Sequence, residues 1–145
     1  MENFSEALLG TWRLASWKYQ NESGDLVDFF GENPTGILIY DASGYMSVQI
    51  FKDNRMPFES GVIYGGSQEE AASSYNTYFA YFGKFEEVEP GMVKHLVEGA
   101  LFPNWLNKEE IRYGKIEHGK LTYSTPPTQA DAQKTTHQVS WQKVI

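Results

Sequence analysis

Eight short runs of strand character, separated by turn residues, are the feature that most limits what this chain can build. They span 10–20, 36–41, 44–52, 80–88, 92–102, 109–117, 120–125 and 135–144, each near the usual strand length. GILIYD and GYMSVQIFK flank Ala42-Ser43, with Gly44 free to adopt positive φ, which predicts a hairpin. Glu89-Pro90-Gly91 and His118-Gly119 mark two further turns. Strands that are neighbours in sequence pair antiparallel, and a sheet of eight exposes two edges unless it curls and closes on itself. The predicted fold class is therefore all-β, an eight-stranded antiparallel up-and-down barrel formed by one domain covering 1–145.

One α-helix is expected to interrupt the strands, after the third of them. Ser67 stands three residues before Glu70, the signature of a capping box. Ala71, Tyr75, Tyr78, Phe79 and Phe82 then recur at helical spacing and predict one apolar stripe facing the sheet. Two long segments carry more apolar residues than a connection needs: 24–35, with Leu26, Val27, Phe29 and Phe30, and 53–66, with Met56, Phe58, Val62, Ile63 and Tyr64. Both are candidate lids over a barrel mouth.

Charge and composition remove several classes of function. Nineteen acidic against twelve basic residues give a net charge of −7, which opposes attraction to nucleic acid or to anionic membrane. The absence of cysteine excludes a disulfide framework, a thiolate zinc site and a cysteine nucleophile. His95, His118 and His137 lack metal-ligand spacing, so neither a metal nor a cofactor is expected. Gly65-Gly66-Ser67 imitates an anion cradle, yet Glu69 and Glu70 would repel a phosphate there. MENFSEALLGTW has neither the basic start nor the apolar run of a signal peptide, and no segment reaches the roughly 20 apolar residues of a membrane span. A cytoplasmic protein without membrane insertion is the expectation; the oligomeric state is left open.

Gly10-Thr11-Trp12 at the head of the first strand resembles the Gly-x-Trp signature of lipocalins. The chain as a whole resembles the small bacterial and fungal lipocalin-like domain proteins, which form calycin-type barrels. The matching stretches are GTWRLASW, PTGILIYDASGYMSVQI, EEAASSYNTYFAYFGKFE, VEGALFPNW, LTYSTPP and VSWQKV, in the family's order from about residue 8 onward. The resemblance implies that Trp12 plugs the closed end and that a basic residue near the end of the last strand, here Lys143, covers its indole. Lysine is a departure, since an arginine plane stacks better on an indole. Relatives in biosynthetic settings imply a role in secondary metabolism, with cyclase or isomerase activity as one form of it.

Side-chain alternation assigns the remaining candidates. If Trp12 points inward, so do Leu14, Ser16 and Lys18, which leaves Trp17 and Tyr19 outside; the opposite parity buries more aromatic surface, and a one-residue bulge reconciles the two. On 92–102 the face carrying Val93, His95, Val97 and Leu101 reads as inner, and on the last strand His137, Val139 and Trp141 share a face. His95 with Tyr81 forms a candidate acid–base pair, because imidazole titrates near neutral pH. Against that stands the plainer reading of a histidine hydrogen-bonded at the barrel rim. Glu98, three residues on, faces away from His95 unless Gly99 marks a bulge. Tyr40, Tyr45, Gln49, Phe85, Val97, Leu101, Asn104, Trp105, Tyr113, His137 and Trp141 are the candidate ligand contacts, with Asn104 and Trp105 at the mouth after the strand-ending Pro103.

Three functions fit such a barrel. It binds a small, mostly apolar organic molecule in its cavity; or it is a cofactor-independent isomerase or cyclase acting on a bound precursor; or it is packed solid and serves as an interaction domain.

Overall fold

The computed structural model describes residues 3–125 and 136–145. Pro126 and Pro127 of the LTYSTPP stretch and Thr135 at the start of the last predicted strand lie outside them. Nine antiparallel strands are described: β1 (Gly10–Gln20), β2 (Leu26–Asp28), β3 (Thr35–Tyr40), β4 (Tyr45–Phe51), β5 (Tyr78–Glu89), β6 (Met92–Ala100), β7 (Glu109–Glu117), β8 (Lys120–Ser124) and β9 (His137–Lys143). Two helices, α1 (Phe4–Leu8) and α2 (Gln68–Asn76), and a 3-10 turn at Pro103–Trp105 complete the chain.

The eight predicted strands close as a barrel. From β3 to β9 each strand pairs with the next, β1 pairs with β3, and β1 also pairs with β9. The short β2 is the addition, hanging on the upper end of β1 through Lys18↔Asp28, Tyr19↔Val27 and Gln20↔Leu26. It lies in a segment that reads as a loop because only three residues are extended.

A bulge in β1 settles the parity of its tryptophans. Between Leu14 and Ser16 the register against β9 slips by one residue, so Leu14 faces Trp141 and Trp17 faces Val139. Trp12 and Trp17 are consequently both buried, and Tyr19 rather than Lys18 follows Trp17 to the inner side, opposite His137. Burying two indoles removes several hundred Å² of mostly apolar surface from water, on the order of 150–250 Å² per ring, which outweighs one interrupted ladder bond.

α2 follows the strand 44–52, as the capping box predicted. Ser67 Oγ accepts from the Glu70 amide, and the Ser67 amide in turn donates to Glu70 Oε1. The predicted stripe, however, does not continue as helix. The helix ends at Asn76, and Tyr78, Phe79 and Phe82 belong to β5. Their three- and four-residue spacing is coincidental. Phe79 and Tyr81 alternate inward on a strand whose aromatic content favours extended chain.

The closed end is built around Trp12. Its indole N–H donates to the Leu8 carbonyl of α1 at 2.8 Å, and Lys143 Nζ lies 4.6 Å from its ring centroid. The same ammonium donates to the carbonyls of Ala7 and Leu9, at the C-terminal end of α1. A lysine suits this task, since a compact ammonium with three donors reaches two carbonyls and a ring at once. Gly10 makes room for it: φ is +122°, and a Cβ there would stand 2.9 Å from Lys143 Nζ.

Candidate functional site

Above the packed floor the barrel is hollow. A cavity of about 770 Å³ falls within the range of ligand sites, so the tube is not filled by its own side chains. Alternation dictates most of its wall. Leu38 comes from β3, Val48 and Ile50 from β4, Phe79 and Tyr81 from β5, His95 from β6, Tyr123 from β8 and Val139 and Trp141 from β9. Phe29 and Phe30 close the gap beside β1, with Phe29 stacked on Trp17 at 4.6 Å. Leu101, Phe102, Asn104 and Trp105 form one rim, and Tyr75 and Asn76 at the end of α2 form another.

A polar cluster occupies the apolar wall. His95 is 2% exposed and hydrogen-bonded through both ring nitrogens: Nε2 to Tyr40 Oη at 2.7 Å and Nδ1 to Tyr81 Oη at 2.6 Å. Tyr40 Oη in turn meets Tyr123 Oη at 2.7 Å. Arg112 on β7 donates to Tyr81 Oη at 3.4 Å and lies 3.8 Å from Glu110. Burial holds the His95 imidazole well below its ordinary 6.5, and the Arg112 guanidinium adds to the effect. The ring is neutral at physiological pH. Burial likewise raises Tyr40, Tyr81 and Tyr123, and it raises Glu110 against the opposing pull of Arg112.

A second histidine lies on the same cavity. His137 Nδ1 accepts from the Trp17 indole N–H at 2.9 Å, and its ring is flanked by Phe29 at 5.1 Å. Among the described residues no three His, Asp or Glu side chains converge to hold a metal ion.

Of the residues singled out from sequence, Tyr81, His95, Leu101, Asn104, Trp105, His137 and Trp141 are brought together on the cavity wall. Tyr40, Phe85 and Val97 point inward but lie outside that wall; Tyr40 packs edge-on against Phe85 at 4.7 Å. Tyr45, Gln49 and Tyr113 are corrections. All three have the outward parity: Tyr45 sits under Lys84, Gln49 accepts from the Tyr78 hydroxyl, and Tyr113 is 48% exposed. The segment 53–66 does not line the cavity; Met56, Ile63 and Tyr64 on it are largely exposed.

Glu110, Arg112, Tyr123 and Thr125 were missed. Charged residues on 109–117 read as a solvated face, whereas alternation turns Glu110, Arg112, Gly114 and Ile116 inward. The His118-Gly119 turn held the signal. A two-residue hairpin pairs Ile116 with Leu121 and Gly114 with Tyr123, so an inward Leu121 and Tyr123 carry the even positions of β7 with them.

A family model described as a lipocalin-like domain matches residues 9–144. The chain belongs to the lipocalin-like domain family. No curated protein matches it. For a lipocalin-like barrel, binding of a ligand inside the tube is the general function that the fold supports. No helix among the described residues is long and apolar enough to cross a membrane.

Proposed function

We propose that this lipocalin-like protein binds a small, mostly apolar organic molecule inside its barrel. The observation that carries the reading is the cavity of about 770 Å³, walled mainly by aliphatic and aromatic side chains with polar groups gathered on one wall. An open volume of that size weighs against a solid interaction domain. Native mass spectrometry of protein purified from its own host tests the reading. The expected result is a noncovalent adduct lost on denaturation and depleted in Leu101→Trp, which narrows the rim. An adduct unaffected by Leu101→Trp, or none under conditions that keep the barrel folded, would count against it.

One observation favours a second reading, a cofactor-independent isomerase or cyclase acting on a secondary-metabolite precursor. A neutral imidazole joined at both nitrogens to tyrosine hydroxyls, one of them facing the cavity, is suited to moving a proton. Tyr81 and His95 would carry that step, with the wall folding the precursor into a reactive shape. If the bound metabolite turns over as fast with His95→Ala as with the native protein, this second reading fails while the first stands.

A further inference from the structure

Tyr81, His95, Tyr40 and Tyr123 form one continuous chain of three hydrogen bonds, Tyr81 Oη to Nδ1, Nε2 to Tyr40 Oη, and Tyr40 Oη to Tyr123 Oη. Its protons can be counted. Three hydroxyls contribute one each and a neutral imidazole contributes one N–H, so four protons serve three bonds. One hydroxyl proton is always left over.

That proton has few places to go. On Tyr40 it would be stranded, because Tyr40 is 1% exposed and its hydroxyl meets only His95 and Tyr123 among the described residues. A buried unpaired donor costs about 1–3 kcal/mol. The leftover proton therefore sits at an end of the chain, and both end residues, Tyr81 and Tyr123, line the cavity. When Nδ1 carries the imidazole proton, every hydroxyl donates toward His95 from the Tyr123 side and Tyr81 offers its O–H to the cavity. When Nε2 carries it, the direction reverses and Tyr123 offers the donor. At neither tautomer is the wall without one.

Arg112 and Glu110 bear on the charge of the guest. The Arg112 guanidinium donates to Tyr81 Oη, which occupies an acceptor site and leaves the single O–H as the donor Tyr81 can turn to the cavity when Nδ1 holds the imidazole proton. Glu110, on the neighbouring inward position, opposes the Arg112 charge at 3.8 Å. A carboxylate guest would be desolvated beside Glu110 and repelled by it; a neutral oxygen meets no such penalty.

We propose that the cavity selects neutral carbonyl compounds, ketones or aldehydes on an apolar frame, whose oxygen accepts the hydrogen bond that the Tyr81 hydroxyl is left free to give. This rests on the ligand-binding reading above and adds to it the chemical class of the ligand. The imidazole is the register of the event: a carbonyl at Tyr81 fixes the Nδ1–H tautomer of His95.

Three naphthalenes of nearly equal shape test it: 2-acetylnaphthalene, 2-naphthoate and 2-isopropylnaphthalene. Binding is followed by calorimetry, and the His95 ring is followed by ¹⁵N NMR. The native protein is expected to bind the ketone about three- to tenfold more tightly than the hydrocarbon, the yield of one net hydrogen bond, and more tightly than the carboxylate. Tyr81→Phe is expected to remove the ketone's advantage over the hydrocarbon. The ketone alone moves the imidazole toward Nδ1–H, a readout in native protein that does not depend on the variant folding. Equal affinities for ketone and hydrocarbon, a preference for 2-naphthoate, or an imidazole indifferent to the ketone would overturn the proposal while the cavity reading survives. If none of the three binds, the cavity reading falls and this one with it.

Discussion

The indole N–H of Trp17 donates to Nδ1 of His137 at 2.9 Å, joining residues 120 apart in sequence across the seam between β1 and β9. The bond fixes Nδ1 as acceptor and so determines which ring nitrogen can carry the proton. It also ties the inner wall to the strand that closes the barrel. Trp17→Phe keeps a ring for Phe29 to stack on but removes the donor. A loss of about 1–3 kcal/mol is expected in urea denaturation, and about 3–5 kcal/mol for Trp17→Ala, which also opens a void.

Acid should destabilise the fold through His95. Its folded value is depressed below the unfolded 6.5 by burial and by Arg112, so the unfolded chain binds a proton that the native one refuses. Stability is full above about pH 6.5 and falls as the pH drops from there toward the folded value. The groups facing the ring are Tyr40 on β3, Tyr81 on β5, Glu110 and Arg112 on β7 and Tyr123 on β8. Urea midpoints between pH 7.5 and 5 should decline less steeply in His95→Gln; an identical slope would show that His95 is not the group responsible.

The tyrosines predict the opposite limit. Burial raises Tyr40, Tyr81 and Tyr123 above their ordinary 10.0. The unfolded chain loses these protons first, so stability is intact below about pH 10 and is lost above it. The share of phenolate absorbance at 295 nm that belongs to these three buried rings should therefore appear together with unfolding, on top of the signal from exposed tyrosines such as Tyr64 and Tyr113.

Lys143→Met tests the closed end. The methionine retains much of the stem's packing, but the carbonyls of Ala7 and Leu9 lose their donor and the Trp12 ring loses its cation. A cost of about 1–3 kcal/mol is expected. A change under a few tenths of a kcal/mol would mean that water replaces the ammonium without penalty.

Gly83→Ala should be among the most damaging single-methyl changes. A Cβ at this bulge would lie 1.9 Å from the Leu96 carbonyl oxygen, which is backbone and cannot swing aside. Overpacking costs about 1–3 kcal/mol, and the chevron should show most of it as faster unfolding if the bulge forms late.

Much of this fold was legible because alternation and turn chemistry act locally. The Gly44 hairpin, the His118-Gly119 turn and the Ser67 capping box each specify geometry within a few residues. The Trp12/Trp17 parity was not, since whether β1 bulges depends on what β9 presents to it. The polar wall was half legible. His95 and Tyr81 stood out by residue type, while Arg112 and Glu110 look like any solvated pair until the register of β7 against β8 turns them inward. Tyr113 faces outward for the same reason: the hairpin's register, not the chemistry of its ring, decides its side. The stripe Tyr78–Phe82 shows that period alone does not separate a helix from an aromatic strand.

The pairing of Trp12 with Lys143 and Thr11 with Val144 bears on how the protein comes into being on the ribosome. Every other rung between neighbouring staves can form soon after its two partners emerge, but this one must wait for nearly the whole segment to be synthesised. Such distant pairings slow folding, and until then the hollow interior stands open along its length. A circular permutant that links residue 145 to residue 3 and is cut within 53–66 would turn the last rung into a local hairpin, and it should refold faster at little change in equilibrium stability.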